Sequence, residues 1–166
     1  MAIAPSHDPF ERLTLDPREI LRLLETVPLL AEMATRERAV LAEVAEVARC
    51  ARDVQLFGVG QEMRWWLMVL TGRVEESVRA PDGSWPVVRE VAAGQCLALD
   101  CVLAGLPTVT QGRAVTGSTF IRVPVLDFQR LLRGHGAASI KLQLALHEEL
   151  GRDLREVTMT MVESLH

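Results

Sequence analysis

The C-terminal segment limits the fold more than any other part of the chain. Leu142, Leu146, Leu150, Leu154, Val157, Met161 and Leu165 recur at steps of 4, 4, 4, 3, 4 and 4, the spacing of an apolar stripe along an α-helix. A helix over 137–165 would run about 45 Å at roughly 1.5 Å per residue. A small domain cannot cover a stripe of that length, and the simplest cover is the same helix of a second copy. The expectation is therefore a homodimer with Leu142, Leu146, Leu150, Leu154, Val157 and Met161 at its interface. The alternative is that the helix folds back on its own domain.

Upstream, the texture is that of short strands. Val54–Phe57, the apolar run Trp65–Leu70, Val74–Val78, Val87–Val91, 112–116 and Thr119–Pro124 are separated by glycine-bearing turns. Several short strands spaced this way predict a β-sandwich or barrel. Two helices precede them. Asp16-Pro17 reads as an N-cap with proline at the first helical position. Val40, Leu41, Val44 and Val47 predict a second helix from about Thr35 to near Cys50. Leu126–Leu132 reads as a short helix closed by Gly134 and Gly136. The domain plan is a loose N-terminal arm over 1–17, a strand-rich body with helices over 18–134, and the long helix over 135–166.

Composition excludes several classes. The 166 residues carry a net charge of −4 and no basic block, which argues against a dedicated nucleic-acid surface. The three cysteines, Cys50, Cys96 and Cys101, lack C-x-x-C spacing and read as buried small hydrophobes; a redox or metal-linked thiol at Cys96 or Cys101 is the sharper alternative. None of the histidines (His7, His135, His147, His166) lies within 53–124, so the His-x-His site of a metal-dependent cupin is missing and no metal is expected. No P-loop and no nucleophile–base pairing stands out, so no catalytic residue is assigned. No secretory signal and no run of about 20 apolar residues is present. A cytoplasmic protein without membrane contact is expected.

Read together, these segments resemble the cyclic-nucleotide-binding domain of the catabolite-activator/FNR regulator superfamily, over roughly residues 20–160. Val27-Pro28-Leu29-Leu30 is similar to the family's opening. Phe57-Gly58-Val59-Gly60 is similar to its F-x-x-G turn, and Trp66–Gly72 with Val74 to its L-x-G-x-V strand. Gly94 matches the glycine before the ligand cassette. Pro107 with Arg113-Ala114-Val115-Thr116 resembles the cassette's exit. Asp127-Phe128 with Leu131-Leu132 resembles the D-F-x-x-L-L helix.

The resemblance implies a mainly β fold with flanking helices: a double-stranded β-helix (jelly-roll or β-roll), N-terminal helices and a long C-terminal dimerisation helix. In the family, the cassette glycine admits the backbone, amides face a cyclic phosphate, an arginine neutralises it and an acid holds the ribose hydroxyl. Here Ala98 replaces the glycine and Leu99 the acid, although a loop one residue shorter would make Asp100 the acid. Thr108 replaces the arginine, and no Arg or Lys lies between Glu90 and Arg113.

The candidate ligand residues are Leu99, Asp100, Cys101, Thr108, Val109, Thr110 and Arg113. Asp100 reads equally as a cap or solvated acid, and Arg113 preferentially as an outward pair with an acid. Of the adjacent Trp65 and Trp66, one is expected in the core; the other is either exposed or also covered.

Two functions stay open: a sensor of a cyclic nucleotide or other small ligand, and a ligand-free dimeric scaffold whose pocket has collapsed around Leu97, Leu99 and Val109. No obligatory cofactor and no direct DNA binding are expected, and the partner protein is not specified.

Overall fold

A computed structural model describes residues 8–164. Leu165, the last position of the predicted stripe, lies outside them. Among the described residues, nine strands form two antiparallel sheets. One has the order β1 (Glu11–Leu13), β2 (Glu46–Cys50), β9 (Ser118–Pro124), β4 (Trp65–Thr71), β7 (Cys96–Leu97); the other has β3 (Gln55–Phe57), β8 (Gln111–Ala114), β5 (Val74–Ser77), β6 (Val87–Val91). The helices are α1 (Pro17–Glu25), a 3-10 turn at Pro28–Leu30, α2 (Thr35–Ala42), α3 (Leu99–Ala104), α4 (Val125–Arg133) and α5 (Ala137–Ser164). This is the β-roll with flanking helices and a long C-terminal helix expected from the sequence.

The apolar run of β4 follows from its position between two cores. Trp66 and Met68 point to the helices, where they join Leu24, Leu30, Phe128, Leu142 and Leu146. Leu67 and Val69 point into the roll with Phe57, Val74, Leu97 and Phe120. A strand buried on both faces reads as a continuous hydrophobic run rather than an alternation. Trp66 stacks on Phe128 with ring centroids 4.5 Å apart. Trp65 is half-buried, with the Arg122 guanidinium 4.0 Å over its ring, so both tryptophans are covered.

Asp16 caps α1 as expected. Its carboxylate accepts from the N–H groups of Arg18 and Glu19, and Glu19 accepts from the Asp16 N–H in return.

The second helix departs from expectation. It stops at Ala42, and Glu46–Cys50 is a strand between β1 and β9. Val44 and Val47 match a helical spacing, but the ladder on both sides of β2 satisfies its backbone and outweighs that local pattern. Ala34 precedes the first turn, and its N–H donates to Glu37 at 2.7 Å. Within the segment expected to be a loose arm, Glu11–Leu13 pairs with β2.

Along α5 the stripe does not stay on one face. Each four-residue step overshoots a full turn by about 40°, so a run of fours winds around the helix. Leu142 and Leu146 are each 2% exposed and packed in the chain's own core, and Leu150 is half-buried against it. Leu154 is 70% exposed, and Val157 is half-buried. Burial of Leu142 and Leu146 contributes about 2 kcal/mol each, so the first half of α5 does fold back on its own domain. Those two interface candidates are already covered within the chain.

Candidate functional site

The residues where a cassette would stand are held by the two sheets and α3. Gly94 takes φ +88° in the β6–β7 turn. Ala98, in the glycine's position, takes φ 43° and ψ 38°. The left-handed conformation is retained although its usual residue is gone, at a cost of about 1–2 kcal/mol for a side chain with a Cβ.

The Ala98 N–H donates to Glu76 Oε1 at 3.1 Å. Glu76 stands on β5 opposite Arg89 of β6 in register. Strand alternation turns both inward, Glu76 with Val74 and Arg89 with Val91. The Arg89 side chain is 4% exposed. It lies 3.5 Å from Glu76 Oε2 and donates to the Cys96 carbonyl at 3.1 Å and to Asp153 of α5 at 2.6 Å. One guanidinium therefore joins the second sheet, the strand entering the cassette and the long helix.

The cluster holds more acid than base. Burial pushes the Glu76 carboxyl above the usual carboxylate range, with Arg89 opposing. Burial pushes Asp153 up to about 7; Arg89 pulls it down, but Glu149, Glu76 and Glu156 repel the charge. Glu149 is also buried and pairs with Arg152. Two like charges about 4 Å apart repel by roughly 4 kcal/mol at an effective dielectric of about 20. A phosphate brought to the Ala98 amide would meet the Glu76 carboxylate already bonded there.

The predicted ligand residues do not converge on one pocket. Leu99 is buried toward the helices. Asp100 is exposed in the first turn of α3, whose cap is Ala98, so Asp100 is not the N-cap. Cys101 is buried with its thiol against the Pro107 carbonyl at 3.7 Å, and burial pushes it up to about 11, which disfavours the thiolate. Thr108, in the arginine's place, is buried. Its hydroxyl donates to the Gly58 carbonyl at 2.5 Å, and its backbone exchanges bonds with Gly60 and Gln61. It fastens the cassette exit to the β3–β4 turn. Thr110 is half-buried.

Val109 is 68% exposed and is no part of a collapsed core. Leu97 is buried inside the roll. Arg113 faces outward and pairs with Asp53 at 3.2 Å. A cavity of about 560 Å³ beside α3 opens to solvent between Asp100, Leu103, Leu132, His147 and Leu150, outside the roll.

Sequence reasoning missed Glu76, Arg89 and Asp153. The signal for the first two was present: an acid and a base on inward positions of adjacent strands. Among the described residues, no His, Cys, Asp and Glu group could hold a metal ion, and no helix is long and apolar enough to cross a membrane.

No family model and no curated protein matches the chain. Solved structures do. A cyclic nucleotide-binding domain from Methylobacillus flagellatus KT aligns at TM-score 0.82 and 20% identity, covering 97% of this chain and 92% of that one. The sensor domain of the transcriptional regulator DNR from Pseudomonas aeruginosa aligns at 0.67 and 18%, covering 84% and 91%. The regulatory subunit of a cAMP-independent protein kinase A from Trypanosoma cruzi, bound to guanosine, aligns at 0.60 and 20%, covering 80% of this chain and 50% of that one. The chain has the fold of the cyclic-nucleotide-binding regulatory domains, with an internal ion pair where a cassette would stand.

Proposed function

We propose that this chain is a non-catalytic regulatory module that works as a ligand-free, cytoplasmic dimeric scaffold. One observation carries the reading: Glu76 occupies the cassette amide, and Arg89 bridges it to Asp153 of α5. In a ligand-driven module the ligand shifts the balance between arrangements of cassette and helix by binding one better. Here the chain supplies that bridge itself, so the helix is docked without a ligand. The exposed second half of α5, with Leu154 and Val157, is the dimer surface, and it presents the pair of rolls to a partner protein.

The test is calorimetric titration with cyclic AMP, cyclic GMP and cyclic di-GMP, with the solution mass measured alongside. No heat and a dimeric mass are expected. Micromolar or tighter binding of any of the three would make this a second-messenger sensor instead.

A second reading is supported by the acid excess around Arg89: a sensor of an uncharged nucleoside, which carries no phosphate to repel. The Trypanosoma cruzi neighbour is bound to guanosine. Titration with guanosine in the same series separates this reading from the scaffold.

A further inference from the structure

A cavity of about 360 Å³ opens between the β3–β4 turn and the segment Asp8–Phe10 that leads into β1. Among the described residues, no member of 94–110 and none of α5 lines it. Its apolar lining comes from Phe57 and Leu67 of the core inside the roll and from Phe10, Met63 and Trp65 packed against that core. Well-packed interiors leave few voids larger than a water molecule, whereas a space of this size and lining is in the range of small-molecule sites.

Beside the cavity stands a buried cation. The Arg122 side chain is 5% exposed, and its guanidinium lies 4.0 Å over the Trp65 ring and 5.7 Å over the Phe10 ring. Two carboxylates hold it. Arg122 Nε donates to Glu46 at 3.1 Å, and Glu46 belongs to β2, which is paired on both sides. Arg122 Nη1 donates to Asp8 at 2.8 Å. Asp8 precedes the first strand, lines the cavity and keeps 45% of its side chain exposed. Glu46 is therefore fixed by its ladder, whereas Asp8 can turn away to water with little disturbance of the fold.

We propose that this cavity binds a small aromatic monocarboxylate, whose ring fills the space between Phe10, Phe57, Met63 and Leu67 and whose carboxylate takes the place of Asp8 on Arg122. The exchange preserves the charge balance at Arg122, since one carboxylate leaves as another arrives. An amine would face the guanidinium itself, and a phosphate dianion would add a negative charge beside Glu46. A planar carboxylate matches the geometry of a guanidinium, and the bond between them is charge-assisted. The ring adds apolar contact that the Asp8 side chain does not make. This site lies outside the cassette, which stays occupied by Glu76.

Phenylacetate is the probe, and 2-phenylacetamide is its uncharged control. Both are titrated by calorimetry and followed by NMR at the Trp65 indole N–H and the Met63 methyl group. Phenylacetate is expected to bind with a Kd on the order of 1 mM or tighter, to shift both signals, and to bind about tenfold more tightly than the amide. Asp8→Ala should bind phenylacetate about tenfold more tightly than the unaltered chain does, because the chain's own competitor for Arg122 is gone. Its affinity for the amide should not change.

No binding of phenylacetate to either protein would overturn the site. Equal affinity for acid and amide, or weaker binding of the acid to Asp8→Ala, would overturn the exchange of carboxylates on Arg122. Shifts confined to residues 94–110 would put the probe in the cassette and overturn the assignment to this cavity.

Discussion

The two halves of α5 are held to the same domain by different forces. From Ala138 to Leu150 the helix docks mainly through apolar packing on Leu30, Trp66 and Phe128, with the Lys141–Glu37 ion pair beside it. Beyond Leu150 the positions turned to the roll are Asp153, Glu156 and Thr160, and the tether is the Arg89–Asp153 pair. Packing depends on shape and is insensitive to pH. A buried ion pair depends on protonation, and on every charge around it. The second half is therefore the part of the helix that conditions can release.

The largest effect expected from breaking this contrast is at Arg89. Arg89→Met leaves Glu76 and Asp153 buried without their counter-charge and should cost about 3–5 kcal/mol in denaturant unfolding at neutral pH. A loss below about 1 kcal/mol would mean the bridge is dispensable.

On the packed half, Leu146→Ala should cost about 2–5 kcal/mol through the cavity it leaves. Leu154→Ala, at an exposed position, should change unfolding of the isolated chain by no more than about 0.5 kcal/mol. Equal losses at the two sites would erase the distinction.

The pH dependence sharpens it. Asp153 is pushed up to about 7 in the folded state from an ordinary value of 3.8. Between those values the folded chain binds more protons than the unfolded one. Its contribution to stability is full below about pH 4 and is lost as pH rises through 7. Asp153→Asn should remove this component, on the order of 3 kcal/mol. Stability curves of the two proteins should thus diverge between pH 4 and 7 and run parallel above 8. Glu11, Glu37 and Asp82 are lowered and act in the opposite direction, but they cancel in the comparison.

The smallest effect is at Ala98. Replacing it with glycine relieves the left-handed strain and should stabilise by about 1 kcal/mol, read as a higher denaturant midpoint at unchanged slope. A loss of stability would mean that the backbone there is not strained.

Strands β3, β4, β5, β6, β8 and β9, the capped first helix and the long last helix were legible because each follows a local period or cap, whereas the short β1 and β7 carry no such pattern. β2 was not, because Val44 and Val47 fit a helix until β1 and β9 are placed beside them. The candidate site was legible only in what it lacks. The missing arginine and glycine were visible at Thr108 and Ala98. What replaces them comes from residues 76, 89 and 153, which only the folded topology brings together. Likewise the stripe from Leu142 to Met161 counts as one face on paper, but winds from the core to solvent on a real helix.

Hydrogen exchange at the Ala98 amide, resolved by NMR in the ligand-free protein, tests the self-occupied cassette most directly. The amide is expected to be protected without any nucleotide and to lose that protection in Glu76→Ala. An Ala98 amide that exchanges freely, and becomes protected only when a nucleotide is added, would contradict it.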